Sequence, residues 1–431
     1  MESFQQIQDL ISPKLTWKVF ETVLKKQNCS ENVKLINITL GKPTKKGDSY
    51  LSTVTRFSVE YSGEISGTSK VFKLHVIGKS LLKNIAQRKT FRNSDFFTNE
   101  IRFYQQVWPE MDAFQKELLN PNQLFKEIPN YLCGEFDGTN DYILLEDLSF
   151  QGYQGVDRSD ALTFEKSKLV LRILSRFHAL GYAFNEMKPD LFLQTATKLN
   201  ETYFHANFRT WYTKFQRNVI NITLDAVQQE LPEQYVNKFK EVASRDVYGE
   251  IIDLCSPTAN TKFKTITHGD TWMPNFLTRY DESKQPIHSV MIDFQLTRYS
   301  SLAQDLHFFI YACTDADMRA ERYEDMLKYY CHEFNEFFAQ LCPKHVQNEV
   351  ALSYDDLMDE LKANGMFALS MSMEACIMSM LDDDEVSDLD QIEGQDAVPL
   401  ETVWIVKPLK TKEKRVKLAQ IIKHMMDHNF I

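Results

Sequence analysis

The chain has 431 residues, of which 43% are hydrophobic and 25% charged, and this composition excludes a fibre, a disordered tail and a small disulfide scaffold. Lys and Arg number 49 against 60 Asp and Glu, giving a net charge of -11, which argues against a general nucleic-acid-binding protein. The length predicts two to three domains or lobes.

The cysteines and the hydropathy of the chain indicate a reducing compartment and no membrane span. The seven cysteines are odd in number and widely spaced, and no Cys-x-x-Cys occurs, so we expect a reducing environment rather than disulfides or a zinc site. The first residues, MESFQQIQDL, lack the basic and apolar segments of a signal peptide. No stretch approaches the roughly 18 apolar residues of a membrane span. The expectation is a cytoplasmic protein without a membrane span.

The first third of the chain has the pattern of a small sheet. Residues 33–38, 53–61 and 71–77 are apolar or alternating runs separated by turn sequences, which predicts an antiparallel meander. Aromatic and aliphatic residues recur at helical spacing over 94–108, and 141–148 has the composition of a further strand.

From residue 148 onward the periodicity is mostly helical. An apolar stripe over 169–180 predicts a buried helix that ends at Gly181. Further helices are predicted at 205–250, 303–345, 355–382 and 411–428. The outline is a small mostly-β lobe at 1–146, a connector near 146–148 and a larger mostly-α lobe at 147–431.

One β-hairpin interrupts the helical part, formed by strand-like runs at 276–280 and 287–292. Asn275 immediately precedes its first strand and Asp293 follows its second, so both lie at the same open end. Their amide and carboxylate oxygens are ligands suited to Mg²⁺. Asp270 lies in the loop entering this end and could accept the proton of an attacking hydroxyl, as phosphoryl transfer requires. We predict Asp270 as the catalytic base and Asn275 and Asp293 as the metal ligands.

The spacing H-x-D-x-x-x-x-N, then a hairpin, then D-F, resembles that of kinase-like phosphotransferases, and HGD resembles their aminoglycoside-phosphotransferase and choline-kinase branch. The sequences HGDTWMPN, MIDFQ, YILLEDLSFQGY and LSRFHALGYAF resemble the ecdysteroid kinase-like family, from about residue 35 to about residue 425. This resemblance implies an α+β, bilobal protein-kinase-like fold. It also implies ATP-dependent phosphorylation of a hydroxyl on a small molecule, and ecdysteroids belong to the family's known substrate class.

The resemblance also implies a nucleotide-binding lysine. Lys73 stands on an otherwise apolar strand, where a lysine needs an anionic partner. The family supplies the ATP phosphates as that partner, with Glu100 of the following helix as the ion-pair anchor. The residues after Lys73 depart from the family's usual pattern, and Lys70 is the competing candidate.

Two further parts of a nucleotide site have weaker sequence signals. Gly41, Gly47 and Ser49 belong to a turn that could cover phosphates through backbone N–H groups, although the turn is not G-x-G-x-x-G. The segment from Glu146 to Leu148 would be the connector whose backbone binds adenine. That assignment rests on its position after a buried strand and on the resemblance.

Three polar residues are predicted to be architectural. His178 lies on the stripe of the buried helix and is expected to be a core histidine with satisfied hydrogen bonds. His268 is expected to hold the catalytic loop, because Asp270 already occupies the place of the base. Asp305 opens a helix, and the resemblance implies that it also braces this loop.

Three alternatives remain. A protein kinase is disfavoured because twelve residues separate Asp293 from the next helix at Asp305 and no Ala-Pro-Glu follows. A choline or ethanolamine kinase would need an aromatic and acidic cage, to which Trp272, Trp211 and Tyr212 could contribute. A pseudokinase acting as a binding scaffold is the third.

The favoured acceptor is an uncharged, steroid-like alcohol. An anionic acceptor would need a basic cluster, and no dense group of Lys and Arg stands near Asp270 or Asp293 in the sequence. Nucleic acid is not expected as a partner, and the oligomeric state stays open.

Overall fold

The computed structural model describes residues 2–28, 30–41, 52–156, 161–382, 385, 389 and 392–431. The chain divides into two compact units, the first formed by 1–104, 128–153 and 388–398 and the second by 105–127, 154–387 and 399–431. The division is less simple than the single boundary at 146/147 that the sequence suggested. The segment 105–127 belongs to the second unit, where Phe114 stacks on Phe184 with ring centroids 5.0 Å apart.

The first unit contains a five-stranded antiparallel sheet with the strand order β1-β2-β3-β5-β4. Its strands are β1 (Glu31–Leu40), β2 (Thr53–Ile65), β3 (Thr68–Ser80), β4 (Tyr131–Glu135) and β5 (Tyr142–Glu146). The predicted meander of the first three strands is confirmed. Each strand is longer than its apolar run, because the exposed ends contribute backbone pairing without contributing to the core.

Four helices accompany this sheet: α1 (Glu2–Ile11), α2 (Trp17–Gln27), α3 (Ile85–Thr90) and α4 (Asn93–Arg102). The first two pack on the sheet, where Phe4 and Phe20 join a core that includes Phe57 and Val76. The helix α4 carries Glu100 and continues into a π-helical turn at Phe103–Val107.

The second unit is mainly helical. Its helices are α5 (Trp108–Leu118), α6 (Phe164–Met187), α7 (Pro189–Ala196), α8 (Arg209–Glu230), α9 (Glu233–Ser244), α10 (Val247–Cys255), α11 (Leu302–Cys313), α12 (Ala316–Leu341), α13 (Lys344–Val350), α14 (Tyr354–Ala363), α15 (Gly365–Ser379), α16 (Leu400–Val403) and α17 (Lys412–Asp427). The remaining strands are β6 (Tyr153–Gln154), β7 (Lys264–Thr267), β8 (Phe276–Tyr280), β9 (Pro286–Met291) and β10 (Arg298–Ser301). The strands β8 and β9 form the predicted hairpin, and β7 pairs with β10. The predicted α+β class is confirmed.

The helix α6 does not end at Gly181, so that prediction is wrong. It runs for 24 residues, and Gly181 lies inside it. A Cβ atom at this position would lie 2.4 Å from Thr265 Oγ1 and 3.2 Å from Ile266 N. The glycine is therefore explained by the close approach of α6 to β7 and not by a helix end.

Two whole-chain expectations concern cysteines and membranes. The six cysteines in the described part of the chain are free thiols. None of the helices within the described ranges combines the length and the apolar character needed to cross a bilayer.

Candidate active site

The open end of the β8–β9 hairpin brings Asn275 and Asp293 together as predicted. Phe276 pairs with Met291, and the Ile292 N–H donates to the Asn275 carbonyl at 3.0 Å. Asp293 has φ 70° and ψ 69°, a left-handed conformation that is costly for a residue with a Cβ. Such strain is typical of functional positions, where the surrounding structure enforces it.

Asn275 also fixes Asp270. Its Nδ2 donates to the backbone carbonyl and to Oδ2 of Asp270, both at 2.8 Å. Asn275 is buried, whereas Asp270 is partly exposed. Because Nδ2 is directed at Asp270, the Asn275 side chain keeps its Oδ1 as an oxygen ligand for a cation.

The Asp270 carboxyl group has an unusual proton affinity. Burial is the largest cause and, together with the negative charge of Asp293, raises its pKa to about 7, although the hydrogen bond from Asn275 opposes the shift. A base with a pKa near neutral pH suits proton transfer at that pH. A cation bound at Asp293 would remove one of these causes and lower the pKa of Asp270.

Asp305 braces the loop that carries Asp270. Its carboxylate accepts hydrogen bonds from the backbone N–H groups of His268 at 2.6 Å and Gly269 at 2.8 Å, and one from His178 Nε2 at 2.9 Å. Burial is the largest influence and disfavours the charged form, but the hydrogen bonds from His178 and the Gly269 backbone, together with the electrostatic interactions with His178 and His268, outweigh it, so the pKa of Asp305 is lowered. Asp305 is 1% exposed and therefore acts on the loop and not on a ligand.

The two neighbouring histidines hold the loop in place. His178 lies on α6 with its Nδ1 2.7 Å from the Tyr330 hydroxyl. The Asp270 N–H donates to Nδ1 of His268 at 3.2 Å, so His268 Nε2 carries the proton that is donated to the Ile292 carbonyl at 2.9 Å. Burial lowers the pKa of His268, which keeps the ring neutral. The ring thus ties Asp270 to the residue before Asp293.

Gly269 is required in the motif His268-Gly269-Asp270. Its φ is +83°, and a Cβ atom would lie 2.0 Å from the Leu296 carbonyl oxygen. No L-residue with a side chain can take this position without moving the chain. The backbone after Asp293 therefore packs directly on the catalytic loop.

The predicted Lys73–Glu100 ion pair is wrong, and Lys79 takes the place of Lys73. Lys79 Nζ donates to both carboxylate oxygens of Glu100, at 2.8 and 2.7 Å. Lys79 is 8% exposed and Glu100 0% exposed. Lys73 lies six residues earlier on β3, where its half-exposed amine is 3.5 Å from Glu60 of β2.

The register of β3 explains this correction. The first part of the strand pairs with β2 alone, so Lys73 lies opposite Glu60 at an exposed position. The last part pairs with β2 on one side and β5 on the other, so Lys79 lies in the interior of the sheet. The sequence prediction ended the strand at residue 77. Extending it to Ser80 would have included Lys79.

The other predicted nucleotide contacts are only partly described. Gly41 is exposed and donates its N–H to the Arg56 carbonyl at 2.8 Å, whereas Gly47 and Ser49 lie outside the described residues. The Glu146 N–H donates to the Asn130 carbonyl at 3.0 Å. Leu148 is buried and begins a short 3₁₀ helix. The adenine-binding role of the segment from Glu146 to Leu148 and the phosphate-covering role of Gly41 stay predictions.

The connector has a brace that the sequence did not reveal. Arg56 Nη1 donates to both carboxylate oxygens of Asp147, at 2.9 and 3.0 Å. Asp147 also accepts the Ser149 N–H at 3.0 Å. This network fixes the chain between Glu146 and Leu148.

A buried acid in the second unit also escaped the sequence prediction. Glu374 accepts hydrogen bonds from the hydroxyl groups of Tyr203 at 2.7 Å and Tyr212 at 2.5 Å. Burial raises the pKa of Glu374, and its charge is one of the smaller causes that raise the pKa of Asp270. The sequence did contain one signal for a buried acid, because Glu374 is the single charged residue in the otherwise uncharged helix α15.

The donor set at the hairpin end fits Mg²⁺. Asn275 Oδ1 and the Asp293 carboxylate are hard oxygen ligands, and the hydrogen bonds of Asn275 hold its oxygen in place. Mg²⁺ in nucleotide sites binds one or two protein side chains, with phosphate and water oxygens completing the shell. Two protein ligands are sufficient for a site of that kind.

Comparison with protein families assigns the chain to one of them. The model of the ecdysteroid kinase-like family matches residues 46–342. No curated protein matches the chain by sequence.

Three solved structures resemble the chain at low identity. The GDP complex of an aminoglycoside 2'-phosphotransferase-IIIa mutant is 11% identical with a TM-score of 0.39, covering 95% of this chain and 98% of that chain. A Plasmodium vivax ethanolamine kinase is 11% identical with a TM-score of 0.35, covering 94% and 86%. A choline kinase from Streptococcus pneumoniae is 10% identical with a TM-score of 0.29, covering 95% and 99%.

Proposed function

Because the chain belongs to the ecdysteroid kinase-like family, we propose that it is a kinase that transfers the γ-phosphate of ATP to a hydroxyl of a small, mostly apolar alcohol such as an ecdysteroid. The observation that carries this proposal is the arrangement of Asp270, Asn275 and Asp293 at one end of the β8–β9 hairpin. This arrangement supplies a base and two oxygen ligands within a single loop and hairpin.

Asp270 acts as the proton acceptor. As the acceptor oxygen forms its bond to the γ-phosphorus, the hydroxyl proton moves to the Asp270 carboxylate, and the bond from phosphorus to the oxygen of ADP breaks. The Nδ2 donation from Asn275 orients the carboxylate. Mg²⁺, held by Asn275 and Asp293, would neutralise negative charge on the phosphates.

Lys79 supplies a cation for the nucleotide phosphates. Glu100 holds the amine with two hydrogen bonds, and both groups are buried. A lysine fixed in this way stabilises phosphate charge without first losing the rotamer freedom of a surface lysine. The phosphate-binding role that the sequence suggested for Lys73 is therefore assigned to Lys79 in this proposal.

The aromatic cluster around Glu374 argues against a quaternary-amine acceptor at that place. Tyr212 and Trp211, which could have contributed to an ammonium cage, pack against Tyr203 at 4.8 and 5.5 Å between ring centroids. Both oxygens of Glu374 already accept tyrosine hydroxyls. The cluster therefore lacks the free carboxylate that an ammonium group would need.

A comparison of acceptors, each assayed separately, tests the proposal. The purified chain is incubated with Mg²⁺, labelled ATP and one of three acceptors: an ecdysteroid, choline or ethanolamine. We expect phosphate transfer to the ecdysteroid, dependent on Mg²⁺ and absent in Asp270→Asn. Transfer to choline or ethanolamine alone would replace the proposed acceptor, and no transfer to any of the three would contradict the proposal and favour a binding scaffold.

A further inference from the structure

The two faces of the sheet in the first unit differ in burial. Phe57 and Val59 of β2 and Val76 of β3 are at most 2% exposed and belong to the core that the sheet forms with α1 and α2. Alternate residues of the same strands lie on the other face, because successive side chains of a strand point in opposite directions. On that face Arg56 of β2 pairs with Ile77 of β3, and both are only partly buried.

Lys79 shares this face with Arg56 and Ile77. It follows Ile77 by two residues on β3, which places the two side chains about 7 Å apart along the strand. Because β3 ends at Ser80, the strand continues this face from Lys79 only in the direction of Ile77. A base that is joined through a ribose to phosphates at Lys79 therefore reaches the part of the face that carries Arg56.

The Arg56 guanidinium is held in place without being buried. Asp147, which is 3% exposed, accepts two hydrogen bonds from Nη1 of Arg56, at 2.9 and 3.0 Å. The Arg56 side chain itself is 36% exposed. The N–H groups of a guanidinium lie in its plane, so these hydrogen bonds fix the group and leave its flat faces for stacking.

The residue next to Arg56 on the neighbouring strand is a glycine. Gly41 directly follows β1, and its N–H donates to the Arg56 carbonyl at 2.8 Å. A Cβ atom at Gly41 would lie 2.9 Å from the Arg56 Cβ, so a side chain there would crowd the arginine. Gly41 therefore contributes no side chain that competes with a ligand for the space beside Arg56.

We propose that the purine base of the nucleotide stacks on the Arg56 guanidinium and packs against Ile77, an inference that rests on the proposed kinase function. A guanidinium stacks on the faces of aromatic rings, nucleobases included. Asp147 acts as a positioning residue for the arginine. Because Asp147 belongs to the connector, the same ion pair places the base beside the backbone between Glu146 and Leu148.

Calorimetric titration in the presence of Mg²⁺ tests this contact, with ATP as one ligand and tripolyphosphate, which has no base, as the other. Arg56→Lys keeps the positive charge and an ion pair with Asp147 but removes the planar group. We expect the affinity of this variant for ATP to fall roughly fivefold, while its affinity for tripolyphosphate and its unfolding temperature stay unchanged.

Three further variants separate the base from the phosphates. Arg56→Met combined with Asp147→Asn removes the guanidinium without leaving a buried charge unpaired, and it should reproduce the loss that is confined to ATP. Lys79→Met lacks the phosphate-binding cation and should weaken both ligands. Lys73→Met removes a half-exposed cation farther along β3 and should bind both ligands as the unmodified chain does.

Equal affinity for ATP in Arg56→Lys and in the unmodified chain would overturn the stacking contact and leave nucleotide binding intact. Equal losses for ATP and tripolyphosphate would also overturn it, because Arg56 would then act on the phosphates. If the unmodified chain binds no ATP, the proposed kinase function fails, and the contact with the base fails with it.

Discussion

Asp270 combines two properties that a base needs, a fixed orientation and a raised proton affinity. The orientation comes from Asn275 Nδ2, and the raised pKa comes mainly from burial. Asp270→Asn keeps the size of the side chain but removes proton acceptance. We expect kcat to fall by about 10² to 10⁴-fold, with little change in the KM for ATP.

Steady-state kinetics with saturating acceptor measures this effect. Glu282→Gln is a suitable control, because Glu282 is an exposed acid in the turn of the same hairpin. Its kcat should match that of the unmodified chain. A near-normal kcat in Asp270→Asn would show that another group takes the proton.

The raised pKa of Asp270 predicts a dependence on pH. The base must be ionised, so kcat/KM for the acceptor should be constant at high pH and fall about tenfold per unit below the apparent pKa. Without metal the pKa of Asp270 is about 7. Mg²⁺ bound at Asp293 would lower the pKa of Asp270, so with Mg²⁺ present we expect the acidic limb to begin below 7. A profile that stays flat through this limb would contradict the assignment of Asp270.

At the scale of the strand, the two ends of β3 predict different outcomes for two lysines. Lys79→Met removes the buried cation that pairs with Glu100, which should cost about 3 to 5 kcal/mol of unfolding free energy and raise the KM for ATP. Lys73→Met removes a half-exposed ion pair and should cost at most about 1 kcal/mol. Urea denaturation and ATP kinetics measure both quantities.

A double variant separates stability from nucleotide binding at this pair. Lys79→Met combined with Glu100→Gln removes both charges, so most of the stability should return. The KM for ATP should stay high, because the phosphate-binding cation is still missing. Recovery of both quantities would mean that Lys79 is structural alone.

The packing of α6 on β7 gives a prediction at the same scale. Gly181→Ala raises intrinsic helix propensity by about 1 kcal/mol. The added Cβ would lie 2.4 Å from Thr265 Oγ1, and such overpacking costs about 1 to 3 kcal/mol. We expect net destabilisation in urea denaturation. Adding Thr265→Ala should reduce this loss, and a more stable Gly181→Ala variant would contradict the packing argument.

For the molecule as a whole, a residue's position could be predicted where local pattern and hairpin geometry determine it, and not where a partner element elsewhere in the chain does. The hairpin and its loop lie within about 26 residues, so the positions of Asp270, Asn275 and Asp293 followed from local pattern and strand geometry. The Lys79–Glu100 pair depends on where β3 ends between two partner strands, which local periodicity does not determine.

The same limit applies to the long-range braces of the site. Asp305 contacts His178 from a helix more than a hundred residues away, and only the family resemblance suggested its role. Gly181 was predicted as a helix end because a glycine has the same local signature at a C-cap and at a close contact. The difference lies in the partner strand β7, which the sequence around Gly181 does not contain.

The charge of the whole chain bears on which acceptors it takes. A net charge of -11 disfavours the approach of an anionic acceptor, and an apolar alcohol would be held by contacts that salt does not screen. We therefore expect the KM for an ecdysteroid to change little between low and high ionic strength at saturating Mg·ATP. Choline is the matched comparison, because any binding of its cation to the acidic surface should weaken with salt. A steep rise of the ecdysteroid KM with salt, or a lower KM for a phosphorylated acceptor, would contradict the proposed acceptor class while leaving phosphoryl transfer by Asp270 intact.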